Sequence, residues 1–247
     1  MKRLLATSAL LTAVATAGFA QDLTPMTDEE RALFRAEVRS YLLDNPEVIM
    51  QAVEVLQTRE AEKQAKADFD LVAQNADALF DDGYSYVGGN PYGDIVLVEF
   101  LDYRCGYCRR AHSEVAELLE TDGNIKLIVK ELPILGDGSV LASRFAVAVK
   151  QLAGGDSYKA IGDALMSFQG DITLPALRRL GSTFGLDMEA IEARMDSEDV
   201  TAEIAQTRAL AGALAINGTP TFVMQDELLR GYLPLQQMQA IVSDKRG

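Results

Sequence analysis

A nearly unbroken apolar run, Ile95-Val96-Leu97-Val98-Glu99-Phe100, is followed a few residues later by Cys105-Gly106-Tyr107-Cys108 and then by a stretch of helical periodicity. Strands exposed on one face alternate apolar and polar residues. A continuous run instead marks a central strand buried on both faces, which requires layers above and below it. The helix extends from about Cys105 to Leu119, a turn follows at Asp122-Gly123-Asn124, and a second buried strand occupies Ile125 to Val129. This is a βαβ unit, whose crossover should be right-handed. Both cysteines of the chain sit at its strand-to-helix junction.

Two thiols separated by two residues at a helix start can close a disulfide with little backbone movement. The helix N-terminus offers N–H groups and partial positive charge to the outer sulfur. Cys105 is therefore the expected nucleophile. Cys108, one turn into the helix and turned inward, is the expected resolving thiol. A structural disulfide explains little, because stabilisation grows with loop length and this ring closes almost nothing. A CxxC pair can also hold soft Cu(I), but only His112 and scattered methionines could assist. With two Cys and one His in the chain, no Cys₄, Cys₂His₂ or His₃ zinc site can be assembled. No metal ligands and no cofactor are expected.

The N-terminus carries an address. Lys2 and Arg3 precede an apolar segment from Leu4 to Val14, and Ala17-Gly18-Phe19-Ala20 offers a small-residue cleavage site, which is the layout of a secretory signal peptide. The stretch falls short of the roughly 20 apolar residues of a membrane span. Cleavage would start the mature chain near Gln21, remove Lys2 and Arg3, and take the net charge from −14 to −16. A periplasmic or extracellular location permits disulfide chemistry. Such an acidic chain lacks the Lys and Arg excess that nucleic-acid affinity requires. No P-loop or G-x-G-x-x-G is present to suggest nucleotide chemistry.

From Asp28 to about Phe80 the pattern is helical. Thr27 or Asp28 can cap a first helix with Leu33, Phe34, Val38, Tyr41 and Leu42 at helical spacing. Asn45 is placed to cap a second, with Pro46 at its first position. The run from Gln57 to Ala67 is polar all round, as in a helix that bridges through solvent. These helices cannot bury both faces alone: they either pack onto the main domain or associate with copies of themselves, and because the polar spacer holds them away from the rest of the chain, residues 21–60 are read as a self-associating segment and 61–80 as a helical linker. A Gly-rich loop or short edge strand between Asp81 and Gly93 opens the main domain, residues 81–247. Within it, residues from about 139 to 216 read as helices: Val140–Leu152, Tyr158–Phe168, Pro175–Leu180, Met188–Met195 and Val200–Leu214. Strand character returns at Thr221–Met224 and Leu228-Leu229, and a last helix begins near Pro234.

Three further positions bear on the chemistry. Glu99 lies six residues before Cys105 on the buried strand. A carboxyl there must be paired or protonated, either by an ion pair with Lys130 or as a high-pKa group that takes a proton from Cys108. In Gly218-Thr219-Pro220-Thr221 a cis Thr219–Pro220 bond facing the dithiol is expected, exposing backbone groups to an extended substrate, with Gly218 allowing close approach. Tyr107, in the dipeptide that tunes the potential, joins Thr219 and Pro220 as a substrate-contacting residue. Arg104, Arg109 and Arg110 read as a solvated basic rim, and His112 as a helix residue without a catalytic role.

Phe100-Leu101-Asp102-Tyr103-Arg104-Cys105-Gly106-Tyr107-Cys108, together with Gly218-Thr219-Pro220-Thr221-Phe222, resembles the DsbA-like branch of the thioredoxin superfamily, and the N-terminal helices are similar to those of its ScsC-like members. The resemblance implies an α/β thioredoxin fold with an inserted helical domain, preceded by a helical oligomerisation segment. It carries the nucleophile onto Cys105, the resolving thiol onto Cys108, the buried acid onto Glu99 and the cis-proline loop onto Thr219 and Pro220. It also implies a trimer acting on disulfides of cysteine-containing secreted proteins, served by a membrane thiol reductant or oxidant. Gly-Tyr between the cysteines lacks the imidazolium of the Pro-His found in strongly oxidising members, and Thr219 before the proline is more usual in isomerases and reductases. The expected activity is accordingly disulfide isomerase or reductase. A DsbA-type dithiol oxidase and a copper-binding or chaperone module are the alternatives.

Overall fold

The strand–helix–strand unit around the cysteines lies at the centre of a five-stranded sheet. The computed structural model describes residues 26–247, so the expected leader, residues 1–20, lies outside the described residues. The strands are β1 (Tyr86–Gly89), β2 (Ile95–Leu101), β3 (Ile125–Glu131), β4 (Thr221–Met224) and β5 (Glu227–Arg230), arranged β1-β3-β2-β4-β5. Only β2 and β3 run parallel; every other pairing is antiparallel. Helix α4 (Gly106–Asp122) makes the crossover between β2 and β3. A Cβ at Gly93 would approach the Asn124 carbonyl oxygen to 2.5 Å, so the tight entry of the chain into β2 requires glycine there.

The parallel register sets Glu99 opposite Val129, Phe100 opposite Lys130 and Leu101 opposite Glu131. Because side chains alternate faces along a strand, Glu99 and Glu131 share one side of the sheet and Lys130 takes the other. The first face is covered by α4, by α5 (Asp137–Ser167) and by α9 (Leu235–Arg246), through Cys108, Val115, Phe145, Ile161 and Met238. On the second face Val98, Phe100 and Ile128 meet Val72 of α2 (Glu47–Gln74), Leu79 of α3 (Ala76–Phe80), and Leu210 of α8 (Glu198–Ala213). Each fully buried side chain of this size contributes about 1.5–3 kcal/mol by leaving water.

The helical insertion between β3 and β4 comprises α5, α6 (Leu174–Thr183), α7 (Met188–Met195) and α8. Within α5, Gly154 has φ +85°, a left-handed value that glycine adopts without a steric penalty. It divides the element into the two segments expected on either side of Gly154. The α/β fold class, its helical insertion and its N-terminal helices are thus as the sequence implied. The sheet also has an edge strand, β1, where the sequence left a choice between loop and strand.

The chain divides between Gln57 and Thr58 into two units. In the first, α1 (Asp28–Asp44) begins with a reciprocal cap in which Thr27 Oγ1 accepts from the Glu30 N–H and Glu30 accepts from the Thr27 N–H. Asn45, expected to cap the next helix, uses its side chain differently. Its amide donates to the Tyr41 carbonyl at 2.9 Å and so closes α1. No residue of α1 is buried, and Leu33, Phe34, Tyr41, Ile49 and Met50 are all exposed. In the second unit, residues 61–80 are helical apart from a turn at Asn75. Val72 and Leu79 enter the core there, and Asp68 is bound by the Arg230 guanidinium.

Candidate active site

The dithiol is positioned by the end of β2. Asp102, fully buried, accepts backbone N–H groups from Arg104 (2.8 Å), Ile134 (2.9 Å) and Leu135 (3.0 Å). The carboxylate thereby fixes the turn that delivers Cys105 and ties it to the segment after β3. The Cys105 N–H closes the turn onto the Asp102 carbonyl at 3.0 Å. Cys105 itself is the N-cap of α4, with its sulfur 3.4 Å from the Cys108 N–H. Ser, Thr, Asp or Asn ordinarily occupies such a position; a thiolate there receives the same donors and the helix's positive end.

Cys105 is 7% exposed and Cys108 is fully buried. Burial pushes the Cys108 thiol well above its ordinary range. The cover over Cys105 comes from the β4 entry loop, where the Thr219–Pro220 bond is cis, as anticipated. The Cys105 thiol donates to the Thr219 carbonyl at 3.0 Å. The two motifs, more than a hundred residues apart, therefore meet sulfur to oxygen. A Cβ at Gly218 would touch nothing within 4 Å, leaving open space beside the loop.

Tyr107 is 62% exposed, and its ring centroid lies 6.1 Å from that of Tyr232, over which the Arg110 guanidinium sits at 4.5 Å. These side chains form an aromatic and cationic surface beside the cysteines. Only part of the expected basic rim is free in solvent. Arg109 donates to the Tyr103 carbonyl at 2.9 Å and Arg104 to the Leu135 carbonyl at 3.1 Å. His112 contacts Asp163 at 3.0 Å.

The ion pair considered between Glu99 and Lys130 is not formed, because the strand register places them on opposite faces. Lys130 instead donates to Asp82 at 2.5 Å and to the Ala78 carbonyl at 2.7 Å. Burial works against the charge on Asp82, yet hydrogen bonds from Lys130 and Ser85 hold its carboxyl below the usual range; burial also lowers the Lys130 ammonium. Glu99 is buried, and its Oε1 has no hydrogen-bond partner. Burial raises its pKa to about 8, with Glu131 adding to the effect. It lies at the wall of a cavity of about 430 Å³ bordered also by Leu101, Tyr103, His112, Tyr158 and Asp163.

Sequence reasoning did not single out Asp102, Tyr103 or Glu131. Glu131 accepts from Tyr103 (2.7 Å), Tyr158 (2.6 Å) and Ser143 (2.7 Å), all buried. Burial raises its pKa to about 7 against those three hydrogen bonds, which lower it. Extending the second strand two residues past Val129 would have placed Glu131 on the face of Val129, and the register, which sets Glu99 opposite Val129, then brings both carboxyls to one side. Among the described residues, no group of three or more His, Cys, Asp or Glu is arranged to hold a metal ion.

Comparisons with known proteins agree with the fold. The DSBA-like thioredoxin domain family matches residues 96–243, and the copper resistance protein ScsC N-terminal domain family matches residues 30–63. That second stretch contains one methionine and neither cysteine nor histidine, so it does not offer the soft ligands that copper prefers. A thioredoxin-like oxidoreductase from Silicibacter pomeroyi DSS-3 is 44% identical, with 69% of this chain and 96% of that one covered at TM-score 0.65. The thiol-disulfide exchange protein alpha-DsbA2 from Wolbachia pipientis is 27% identical over 73% of this chain and 96% of its own, at TM-score 0.68. Proteus mirabilis ScsC in a transitional conformation is 27% identical, covering 89% of this chain and 98% of that one at TM-score 0.65. Among curated proteins, the Na(+)/H(+) antiporter NhaA 3 of Salinispora tropica is 25% identical over 162 residues; the match covers 66% of this chain and 25% of the antiporter. The chain thus spans about a quarter of the length of such antiporters.

Proposed function

The chain belongs to the DsbA-like thioredoxin family of thiol–disulfide oxidoreductases, and from that membership we propose that it is a protein disulfide isomerase or reductase of the periplasm. The observation that carries this reading is the meeting of the Cys105 sulfur, at the N-cap of α4, with the Thr219 carbonyl of the cis-proline loop. Cys105 is the nucleophile, Cys108 the resolving thiol and Glu99 the proton carrier; Thr219, Pro220 and Tyr107 contact the client.

The Cys105 thiolate attacks one sulfur of a client disulfide, forming a mixed disulfide and releasing a client thiolate. In isomerisation another client thiol attacks the client sulfur of that bond, which forms a new client disulfide and returns Cys105 as thiolate. In reduction Glu99, once it has released its own proton, takes that of Cys108, whose thiolate attacks Cys105. The products are the Cys105–Cys108 disulfide and a client holding both electrons. A thiol reductant at the membrane then restores the dithiol with two electrons. An extended client segment can approach the backbone of Thr219 while its side chains meet Tyr107.

The N-terminal helices supply the reason for favouring isomerisation. Helices in proteins are stabilised chiefly by burying an amphipathic face, and Leu33, Phe34, Tyr41, Ile49 and Met50 are exposed in the single chain. Covering them with copies of the same segment, three in our reading, places several dithiols around one misfolded secreted protein. Lys2, Arg3 and the small-residue site ending at Ala20 direct export. Among the described residues, no helix is long and apolar enough to cross a membrane.

The deciding experiment is refolding of a scrambled multi-disulfide protein by the mature chain and by a chain beginning at Thr58, which retains Val72 and Leu79. The mature chain should restore the substrate and scatter light as an oligomer. The shortened one should remain a monomer that reduces insulin but refolds poorly. Two monomers would dispose of the association. Exchange that persists in Cys105→Ser would dispose of the mechanism.

A further inference from the structure

Residues 99 and 131 place two carboxyl groups on one face of the central strands, in surroundings of opposite quality. Glu131 accepts three O–H groups, two at Oε1 from Tyr103 and Tyr158 and one at Oε2 from Ser143. Glu99 Oε1 accepts none. We propose that Glu131 is a positioning residue for the dithiol chemistry: it holds the negative charge of a two-carboxyl unit and so keeps the unit's proton on Glu99, which must release it before it can take the proton of Cys108. The inference rests on the reading of Glu99 as proton carrier and extends it to the group that governs Glu99.

The asymmetry follows from hydrogen-bond capacity. An ionised carboxylate is acceptor-only and can satisfy three donors at once. Protonating Glu131 would remove lone-pair capacity from three buried hydroxyls and add a fourth proton that needs its own acceptor. Protonating Glu99 removes a bare charge from a site that gives it no donor. Hydrogen bonds to the charged form favour that form, so the charge belongs on Glu131. A second ionisation nearby is then opposed by the first, as in any close carboxyl pair. Burial raises both carboxyls, Glu131 against three hydrogen bonds that lower it and Glu99 with the charge of Glu131 adding to the rise.

The remaining charged and titratable neighbours are distributed unevenly. Lys150 of α5 favours the charge on Glu131 and is itself paired with Glu203 of α8. Tyr103 and Tyr158 stay protonated, their pKa values raised well above the ordinary one by burial and by Glu131. Around the cavity beside Glu99 stand Tyr86 of β1, His112 and Glu120 of α4, and Lys159 and Asp163 of α5. His112, Lys159 and Asp163 are tied to one another. Tyr103 connects the unit to the active site: its hydroxyl binds Glu131, and its carbonyl accepts from Arg109, one residue beyond Cys108.

A purely structural Glu131 would anchor Tyr103 without setting any titration, and the test separates the two roles. Side-chain carboxyl carbons of the full mature chain, reduced at the cysteines, are followed by ¹³C NMR against pH. The expected result is two late steps, the later one absent in Glu99→Gln. In Glu131→Gln the Glu99 step should move down by about one pH unit or more, the coupling at which two sites titrate as a pair. Should Glu131→Gln fail to fold, Ser143→Ala serves instead: loss of one donor should raise the earlier step. A Glu99 step that stays in place in Glu131→Gln, or two steps indifferent to Ser143→Ala, overturns the proposal.

The pH profile for release of a mixed disulfide by Cys108 gives an independent readout. Its acid limb should fall in Glu131→Gln by the same interval as the carboxyl step. If the carboxyl step moves and the release profile does not, the coupled unit stands and its positioning role is overturned, together with the assignment of Glu99 to Cys108.

Discussion

Lys130 and Glu131 are consecutive on one strand and point to opposite sides of the sheet, yet their surroundings follow opposite rules. Lys130 meets a carboxylate, Asp82, and a backbone carbonyl, so its charge is answered within a buried pair. Glu131 meets three neutral hydroxyls and shares its face with a second carboxyl, so the charge on its face is not matched by a counter-ion in direct contact. A buried pair of opposite sign resists removal of either member, because the other is left alone. A buried pair of like sign instead carries a proton whose location depends on pH. One face of the sheet thus holds an ion pair, and the other, which also holds Cys108, two carboxyl groups that burial keeps from ionising readily.

Four experiments press on that contrast. Lys130→Met should have the largest effect on folding, lowering stability by about 3–5 kcal/mol in urea denaturation because Asp82 is left unanswered. Its surviving folded fraction should show the wild-type pH dependence of disulfide exchange. Leu79→Ala, on the same face, should cost about 2–5 kcal/mol by loss of transfer energy and by the cavity left behind, with exchange per folded molecule unaffected. If either variant moves the pH profile, the two faces are not separable.

On the other side, Glu99 keeps its proton in the folded state to about pH 8 against an ordinary value of 4.5. The raised pKa means that its contribution is fully present below about pH 4.5 and is lost as pH rises toward 8. Between those limits the wild-type protein should weaken with rising pH, by up to about 1.4 kcal/mol per unit for each proton retained. Glu99→Gln should flatten that slope, as read from urea midpoints between pH 5 and 8; an unchanged slope would show that Glu99 titrates normally. The smallest effect is expected for Arg230→Ala, which frees Asp68 of α2. With the guanidinium about a third exposed, solvent screening limits the loss to about 1 kcal/mol or less.

Much of this arrangement could be read in the residues themselves. The unalternating run at Ile95 to Phe100 announced a strand covered on both sides, and the cysteine spacing placed the chemistry at its end. A break between Leu152 and Tyr158 was visible because the stretches on both sides are helical in period. What could not be read was register. Whether Glu99 faces Lys130 or Glu131 turns on a one-residue offset between β2 and β3, and an offset of one exchanges the faces completely. Ending the second strand at Val129 concealed the second carboxyl. Asp102 was passed over for a related reason: its partners, Ile134 and Leu135, lie some thirty residues away in sequence and are brought to it only by the sheet.

Asp102 also links two stretches of surface. Ile134 and Leu135 are partly exposed and hang from the same carboxylate that shapes the approach to Cys105. The backbone at Ile134 and Leu135 and the turn that delivers Cys105 therefore share one anchor, so that loosening the first loosens the second.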